Sequence, residues 1–197
     1  HAALLHGVTG SGKTSVVLSL CRNIIDDDRT AIVLVPEIAL TWQSVSAFAA
    51  VFGGRLAVIH SRLSGGERLD TFRRIRRGEV DIVLGTRSAV FAPLERLGAI
   101  IIDEEQEHTY KSEQSPKYHA RDIARYRCAE SGALMLLCSA TPSVESYEKA
   151  KRGVYTLVEL KNRYGTARLP EVIISDMRKA ASPESYIGED LRREIGR

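Results

Sequence analysis

Short strand-like runs of apolar residues alternate along the chain with segments in which apolar residues recur at helical spacing. Several runs are rich in β-branched residues and contain few polar ones, which is typical of strands buried on both faces of a sheet. The predicted strands are 2–5, 30–35, 56–59, 81–84, 99–102 and 133–138. The predicted helices are 14–21, 38–52, 65–77, 120–131 and 143–152. This alternation predicts an α/β fold, a mainly parallel sheet with helices on both faces.

The alternation of strands and helices weakens after residue 153. Two strand-like segments follow, at 155–158 and 172–174, and then a polar tail. We therefore predict a lobe over residues 1–153 and a C-terminal extension over residues 154–197.

The most informative polar segment is 7–14, which follows the first predicted strand and precedes the first predicted helix. It fits G-x-x-x-x-G-K-[ST], the phosphate-binding P-loop, and it has the order of strand, loop and helix that this motif requires. Glycines let the backbone turn consecutive N–H groups toward an anion, and the following helix directs its positive dipole end to the same place. The loop therefore predicts a nucleoside triphosphate ligand. The residues expected to bind ATP are Gly7, Thr9, Gly10, Ser11, Gly12, Lys13 and Thr14.

Two side chains of the P-loop and a later acidic segment predict the chemistry at the phosphates. Lys13 is expected to place its charge against the β- and γ-phosphates, and the Thr14 hydroxyl is expected to bind Mg²⁺. Asp103 and Glu104 directly follow the predicted strand 99–102. We expect Asp103 to bind Mg²⁺, directly or through water, and Glu104 to orient the water that attacks the γ-phosphate. The predicted catalytic residues are Lys13, Asp103 and Glu104.

Composition bounds the class of protein but decides little else. A chain of 197 residues with 44% apolar content is long enough for one good core. Its formal charge of +3 permits contact with nucleic acid without requiring it. Its apolar runs are too short to span a bilayer and no signal segment opens the chain, so we expect a cytoplasmic protein. The chain lacks an initiator methionine and opens almost directly on the P-loop strand, so we expect it to be part of a longer protein.

The cysteines predict neither disulfides nor a zinc site. Cys21, Cys128 and Cys138 form no CxxC pair, and two of them lie in apolar segments. Buried free thiols in a reducing compartment are therefore expected.

Several segments together resemble the motifs of superfamily 2 helicases. Residues 7–14, 103–106 and 139–141 are similar to motifs I, II and III of that superfamily. Further segments resemble the bacterial primosomal replication-restart helicases in particular. These segments are 34–41, 60–68, 85–89 and 118–122. The chain is thus identified as similar to the first RecA-like lobe of this helicase family, and the similarity covers nearly its whole length.

The resemblance implies contacts with DNA along one edge of the lobe. Residues 36–37 and 86–87 resemble motifs Ia and Ib, which contact the phosphate backbone of the tracking strand in helicases. Residues 139–141 resemble the motif that couples ATP hydrolysis to movement along DNA, and residues 107–119 occupy the place of an aromatic-rich loop. The side chains that the resemblance assigns to DNA contact or coupling are Pro36, Glu37, Thr86, Arg87, Ser139, Thr141, Tyr110 and Tyr118.

Some aromatic and basic side chains in these segments have ordinary structural alternatives. Tyr110 and Tyr118 either stack on splayed bases or pack over the sheet edge, and the sequence does not separate the two. Trp42 could stack on a base, but a lone aromatic residue on a helix is usually packed, and packing is what we expect for it. The arginines between residues 73 and 77 could face DNA, but a solvated face is what we expect of them.

The chain departs from the family pattern at three positions. Gln106 stands where the family usually has histidine, Trp42 where it has proline, and Phe72 where it has tryptophan. Glutamine can still bridge to motif III by a hydrogen bond, and it leaves the metal-binding carboxylate untouched.

The resemblance implies the ATP-binding lobe of an ATP-dependent 3′ to 5′ DNA helicase that acts in replication restart and primosome assembly. ATP and Mg²⁺ are the implied cofactors, and the zinc of the family is expected to have no site here because the paired cysteines are absent. The implied partners are forked and single-stranded DNA and other replication-restart and primosome proteins. The implied location is the bacterial cytoplasm, and no membrane is implied as a partner. In such helicases ATP is hydrolysed between two lobes, so this lobe alone is expected to bind nucleotide but hydrolyse it poorly.

Two other functions remain open on the sequence. One is a P-loop ATPase that translocates on nucleic acid or remodels it without separating strands. The other is a module that recruits replication proteins to stalled forks.

Overall fold

A computed structural model of the chain describes residues 1–164, 174 and 187–196. Within these ranges, seven strands form one sheet in the order β3-β4-β2-β5-β6-β1-β7, and neighbouring strands are parallel. The strands are β1 (Ala2–Gly7), β2 (Thr30–Leu34), β3 (Leu56–Ile59), β4 (Ile82–Gly85), β5 (Leu97–Ile102), β6 (Leu134–Ser139) and β7 (Thr156–Leu160). The helices are α1 (Lys13–Asp26), α2 (Trp42–Phe52), α3 (Gly65–Arg76), α4 (Ala120–Ser131), α5 (Val144–Lys151) and α6 (Glu189–Ile195). The predicted α/β lobe with a mainly parallel sheet is confirmed.

Helices cover the sheet on both faces, which explains the continuous apolar runs in the sequence. The central strands β2 and β5 are buried along their whole length. Alternate strand residues enter two apolar clusters, as the two-residue period of a strand requires. One cluster includes Cys21 of α1 and Phe48 of α2, and the other includes Ile75 of α3, Ala124 of α4 and Ala150 of α5. Both faces of the central strands are therefore withdrawn from water, and apolar side chains are favoured at every position.

Two predicted helices differ from the observed ones at their ends. The predicted helix 38–52 begins later, because Glu37–Ala39 forms a separate 3₁₀ turn and Thr41 caps α2. The Thr41 hydroxyl accepts a hydrogen bond from the Ser44 amide at 3.3 Å, which makes Thr41 the residue before the helix rather than part of it. The first helix, predicted over 14–21, extends to Asp26.

The C-terminal region contributes a strand that the sequence marked only weakly. β7 pairs in parallel with β1 at the edge of the sheet, so the predicted extension over 154–197 begins with a strand of the sheet. The chain divides into compact units His1–Gly165 and Thr166–Arg197, and β7 belongs to the first. The predicted strand 172–174 lies outside the described residues except for Ile174.

The state of the three cysteines agrees with the prediction made from the sequence. Cys21, Cys128 and Cys138 are free thiols and buried, as expected. Burial raises the pKa of each thiol, which keeps all three protonated.

In the described part of the chain, no helix has both the length and the apolar character needed to cross a bilayer.

Candidate active site

The segments that follow the parallel strands meet at one edge of the sheet, because parallel strands share the direction of their carboxyl ends. Across the sheet from β3 to β1, the residues at this edge are Ser61, Thr86, Pro36, Asp103, Thr141 and then the P-loop. The P-loop, Asp103 and Thr141 therefore occupy neighbouring positions on β1, β5 and β6. The loops after β2, β4 and β3 form the other half of the edge.

The P-loop has the backbone conformation of an anion cradle. Gly10 and Gly12 have φ values of 76° and 89°, in the left-handed region that favours glycine, and α1 begins directly after Gly12. The Lys13 ammonium donates a hydrogen bond to the carbonyl oxygen of Gly7 at 2.8 Å, so the lysine lies over the loop. The Ser11 hydroxyl is shielded from solvent and has no hydrogen-bond partner within the described ranges. Glycine-enabled turns, a lysine over the loop and an unpaired hydroxyl fit a bound phosphate chain.

The remaining predicted P-loop residues lie at the mouth of the cradle. Thr9 and Thr14 are both exposed, and Thr14 stands in the first turn of α1. The backbone of Gly7 is buried, and a Cβ at that position would lie 2.5 Å from the Ser11 hydroxyl oxygen. Only a glycine therefore leaves the Ser11 side chain its place in the loop.

Asp103 lies at the carboxyl end of β5, facing the P-loop. Its amide donates to the carbonyl oxygen of Leu34 at 2.9 Å, and its carboxylate accepts a hydrogen bond from the Glu104 amide at 3.0 Å. Burial, and secondarily the charge of Glu104, raises the pKa of the Asp103 carboxyl, while that amide and the Lys13 ammonium act against the rise. Lys13 and Asp103 thus act on each other electrostatically. The Glu104 amide and the Lys13 ammonium do not fully balance the negative charge of the carboxylate. This fits a site in which Asp103 and Thr14 together bind a cation such as Mg²⁺.

We expect Asp103→Asn to raise the free energy of unfolding at neutral pH. The raised pKa means that ionisation of Asp103 destabilises the folded state. This loss in the free energy of unfolding is complete above the folded-state pKa. The cost declines as the pH falls and is absent below the unfolded-state pKa of about 3.9, where both states hold the proton. Urea unfolding at a series of pH values measures the gain, which should shrink with falling pH.

The control for this measurement is Asp70→Asn, on an exposed aspartate of α3. This change should alter stability by no more than about 0.5 kcal/mol at any of the pH values. A gain for Asp103→Asn that did not depend on pH would contradict a carboxylate held at electrostatic cost.

Glu104 adopts a backbone conformation that non-glycine residues rarely take. Its φ is 45°, in the left-handed region, and its carboxylate accepts a hydrogen bond from the Gln106 amide nitrogen at 2.8 Å. Left-handed backbone at a non-glycine residue costs on the order of 1–2 kcal/mol and often occurs at functional sites. The turn directs the Glu104 side chain toward Gln106, away from the direction that a continuing strand would give it.

We expect Glu104→Gly to be more stable than Glu104→Ala by about 1 kcal/mol. Both changes remove the carboxylate, but only glycine adopts the left-handed conformation at little cost. Denaturant unfolding of the two variants measures the difference. The same pair at Arg125, an exposed position in α4, should show the opposite order by about 1 kcal/mol. Equal stabilities at position 104 would mean that its backbone is not strained.

A chain of hydrogen bonds connects Glu104 to the segment after β6. The Ser139 hydroxyl donates to the side-chain oxygen of Gln106 at 2.6 Å and accepts from the Thr141 amide at 2.8 Å. Gln106 in turn donates to Glu104. The predicted bridge from glutamine to motif III is therefore confirmed.

Glu105 makes the densest set of polar contacts at this edge, and sequence reasoning gave it no role. Its side chain is fully buried and forms an ion pair with Arg121 at 2.6 Å. Its carboxylate also accepts hydrogen bonds from the amide of Ser143 at 2.6 Å and from the hydroxyl of Ser146 at 3.0 Å. Glu105 thereby connects the acidic turn to the first residues of α4 and α5. The one signal in the sequence was Arg121, which lies in a segment that resembles the helicase family.

Tyr110 is not available to stack on bases, so of the two alternatives that the sequence left open, base stacking is wrong and packing is confirmed. The side chain is 1% exposed. Its hydroxyl lies 2.6 Å from the carbonyl oxygen of Asp103 and 3.1 Å from that of Leu34. Burial and the neighbouring carboxylates raise the pKa of this hydroxyl. Tyr110 packs under the loop, where its hydroxyl group is the donor next to the carbonyl oxygens at the ends of β5 and β2.

The other half of the edge contains a cavity of about 290 Å³. Arg87 and Tyr118 meet beside it, with the guanidinium carbon 5.7 Å from the centre of the ring. Arg87 also donates to the carbonyl oxygens of Thr109 and Lys111, so one of its nitrogens holds the following loop. The residues that line the cavity are Val35, Pro36, Glu37, Ser61, Thr86, Arg87, Ser88, Thr109 and Tyr110. The sheet thus brings the predicted motif Ia and Ib residues together.

Trp42 is exposed, and the packing predicted for it is wrong. It is 85% exposed and forms the first residue of α2, where no element covers it in the described part of the chain. The arginines between residues 73 and 77 are largely solvated, as predicted, and three of them make exposed ion pairs with Asp70 or Glu79. Phe72 is half-buried against an apolar cluster.

Comparison with known proteins identifies relatives by sequence and by fold. The family model described as DEAD/DEAH box helicase matches residues 1–150. The chain is 51% identical over 176 residues to the replication restart protein PriA of Bacillus subtilis, which covers 89% of this chain and 22% of that protein. It is 45% identical over 177 residues to the PriA of Treponema pallidum, which covers 90% of this chain and 27% of that protein. The predicted resemblance to the primosomal helicases is confirmed, and the chain spans only 22% to 27% of the length of these two relatives.

Solved structures agree on the fold. RecG bound to a three-way DNA junction superimposes with a TM-score of 0.60 at 22% identity, over 85% of this chain and 21% of that one. The Hef helicase domain of Pyrococcus furiosus gives a TM-score of 0.59 at 16% identity, over 81% of this chain and 35% of that one. At these identities the likeness shows the fold alone, a RecA-like α/β lobe.

Proposed function

Since the chain belongs to the DEAD/DEAH box helicase family, we propose that it is the ATP-binding lobe of an ATP-dependent 3′ to 5′ DNA helicase of replication restart and primosome assembly. The observation that carries the proposal is the convergence of the P-loop, Asp103 and the Glu104 hydrogen-bond chain at one edge of the sheet. Identity of 51% to a replication restart protein supports the biological assignment. Its proposed partners are forked and single-stranded DNA and other primosome proteins, in the bacterial cytoplasm.

The nucleotide half of the edge has a residue for each part of the proposed chemistry. The P-loop amides and Lys13 bind the phosphates, and Lys13 exchanges its bond with the Gly7 carbonyl for a phosphate oxygen. Mg²⁺, held by Thr14 and Asp103, would supply positive charge against the phosphate oxygens. Glu104 orients and polarises the attacking water, and its backbone turn fixes where that carboxylate lies.

The proposed link to DNA runs from Glu104 through Gln106 and Ser139 to Thr141. A change in the hydrogen bonding of Glu104 during hydrolysis is passed along a chain in which every distance is 2.6–2.8 Å. Thr141 itself is exposed at the edge of the sheet, where a nucleic acid can reach it. We assign to this series of hydrogen bonds the coupling between ATP hydrolysis and DNA binding.

The cavity between Thr86 and Glu37 is proposed to bind the phosphate backbone. Arginine has five N–H donors. The bonds of Arg87 to Thr109 and Lys111 come from one nitrogen, Nη1, and they position the guanidinium beside the cavity. Thr86 lines the same space, and its hydroxyl suits a phosphate oxygen.

We expect Lys13→Ala to weaken binding of a fluorescent ATP analogue by about 10- to 100-fold in the presence of Mg²⁺. A charge-assisted hydrogen bond of about 1.5–3 kcal/mol is lost, and residues 7–14 contain no second basic side chain to replace it. Fluorescence titration of this chain measures the change, and Lys117→Ala, on an exposed lysine outside the P-loop, is the matched control. Equal affinities for wild type and Lys13→Ala would refute the nucleotide site.

An ATPase assay on this chain, beside the binding titration, tests whether the lobe holds only half of the catalytic site. The lobe alone is proposed to bind ATP and hydrolyse it poorly, because the catalytic groups of the family come from two lobes. Steady hydrolysis by this chain at the rate of an intact DNA-stimulated helicase would contradict that proposal.

A further inference from the structure

A second cavity lies beside the proposed phosphate-binding cavity. It encloses about 360 Å³, within the range of roughly 300–1,000 Å³ that small-molecule sites occupy. The turn after β3 and the start of α2 form its walls. Its lining residues are Leu40, Thr41, Trp42, Val45, His60 and Arg62.

One wall of this cavity is an aromatic ring that the fold leaves exposed. Trp42 is 85% exposed, and the nearby Ile38 is 87% exposed. Trp42 stands at the first position of α2, fixed there by the Thr41 cap rather than by packing of its own ring. An indole held on a rigid element with a free face is suited to stack on a planar ligand.

The turn after β3 supplies polar groups to the same cavity. The Nδ1 atom of His60 is shielded from solvent and has no hydrogen-bond partner among the described residues. Buried polar atoms are usually paired, so the imidazole of His60, which lines the cavity, has hydrogen-bonding capacity that the described residues leave unused. Arg62 is exposed at the rim and adds a positive charge. A ligand that matches these groups has a planar apolar face, polar atoms along its edge and a phosphate nearby. A base of single-stranded DNA has all three.

The two cavities share the turn after β3. Ser61 lines the first cavity, while its neighbours His60 and Arg62 line the second. The Ser61 hydroxyl donates a hydrogen bond to the carboxylate of Glu37, which ties this turn to the segment before α2. A strand whose phosphate lies in the first cavity therefore has a base within reach of the second.

We propose that the second cavity binds one unstacked base of the single strand, with Trp42 stacking on the base and His60 hydrogen-bonding to its edge. The proposal rests on the DNA-binding function proposed above. It assigns base contact to a residue outside the motif Ia and Ib positions, which contact the backbone.

The chain contains one tryptophan, so its fluorescence reports directly on this cavity. We expect a short oligo-dT to quench that fluorescence, and an abasic oligonucleotide of the same length to bind without quenching. Trp42→Ala should weaken oligo-dT binding, measured by anisotropy, about 5- to 100-fold, the range for loss of one stacked base. Trp42→Phe should restore part of that loss, because a smaller ring still stacks.

Salt dependence separates the base contact from the phosphate contact. Arg87→Ala should lower the slope of log affinity against log salt by about one, whereas Trp42→Ala should leave the slope unchanged. Tyr126→Ala, on an exposed aromatic residue of α4 that lines neither cavity, should bind like wild type.

Two results would overturn the inference, and they differ in what else they remove. Oligo-dT binding with no change in fluorescence and an unaltered affinity for Trp42→Ala removes the base site alone. If neither oligonucleotide binds, the proposed DNA-binding function fails together with the base site.

Discussion

Replacement of Glu105 by alanine is expected to lower the free energy of unfolding by about 3–5 kcal/mol. The carboxylate is fully buried and is the common partner of Arg121, Ser143 and Ser146. Its removal leaves the Arg121 charge, only 19% exposed, without its carboxylate, and it leaves the Ser143 amide without an acceptor. Breaking one side of a buried pair costs far more than the net value of the pair, because the remaining charge stays desolvated.

Urea unfolding of Glu105→Ala and wild type measures this loss, provided that the dependence on urea concentration is unchanged. Glu148→Ala is the matched control, since Glu148 pairs with Arg152 at 2.8 Å but is 51% exposed. That change should cost at most about 1 kcal/mol. The double variant Glu105→Ala with Arg121→Ala should lose less than the sum of the two single changes. A cost for Glu105→Ala no larger than that for Glu148→Ala would show that the buried network does not hold α4 and α5 at the site.

Glu104→Gln is expected to lower the rate of ATP hydrolysis by about 10²- to 10⁴-fold while leaving ATP binding intact. Glutamine keeps an oxygen that can accept the hydrogen bond from Gln106, so the geometry of the chain to Ser139 is retained. What is lost is the negative charge that is proposed to polarise the attacking water. The effect therefore falls on the chemical step, in contrast to Lys13→Ala, which falls on binding.

The measurement is single-turnover hydrolysis by a protein that joins this lobe to the second lobe of its own family, with binding followed by the fluorescent analogue. Glu107→Gln, which changes a half-buried carboxylate three residues further along, is the control and should retain the wild-type rate. A Glu104→Gln protein that hydrolyses ATP at the wild-type rate would remove Glu104 from the catalytic role.

The sequence predicted well wherever one local property decided the outcome. Buried strands such as β2 and β5 are apolar at every position because helices cover both faces of the sheet, so they stand out as runs. The P-loop was recognisable because glycines are needed at fixed spacing, and Gly10 and Gly12 do adopt left-handed conformations. β7 was marked weakly because it is an edge strand with exposed positions, and such strands lose the continuous apolar pattern.

Other features depended on partners far away in the sequence. Glu105 looked like one of several acidic residues, and its burial depends on Arg121 and on the start of α5. Tyr110 and Trp42 show opposite errors for the same reason. Tyr110 is buried because two strand-end carbonyl groups lie next to its hydroxyl, and Trp42 is exposed because the Thr41 cap sets where α2 begins. Residue type alone does not contain either fact.

The hydrogen-bond chain from Glu104 to Thr141 has a consequence for the protein's response to acidity. Between these two ends it runs through the amide of Gln106 and the hydroxyl of Ser139, neither of which gains or loses a proton near neutral pH. A histidine at position 106 would change charge close to its ordinary pKa of about 6.5 and would exchange an acceptor for a donor as it did so. With glutamine there, donors and acceptors keep their direction along the whole path, so the proposed coupling between the two ends does not depend on pH through the residues that link them.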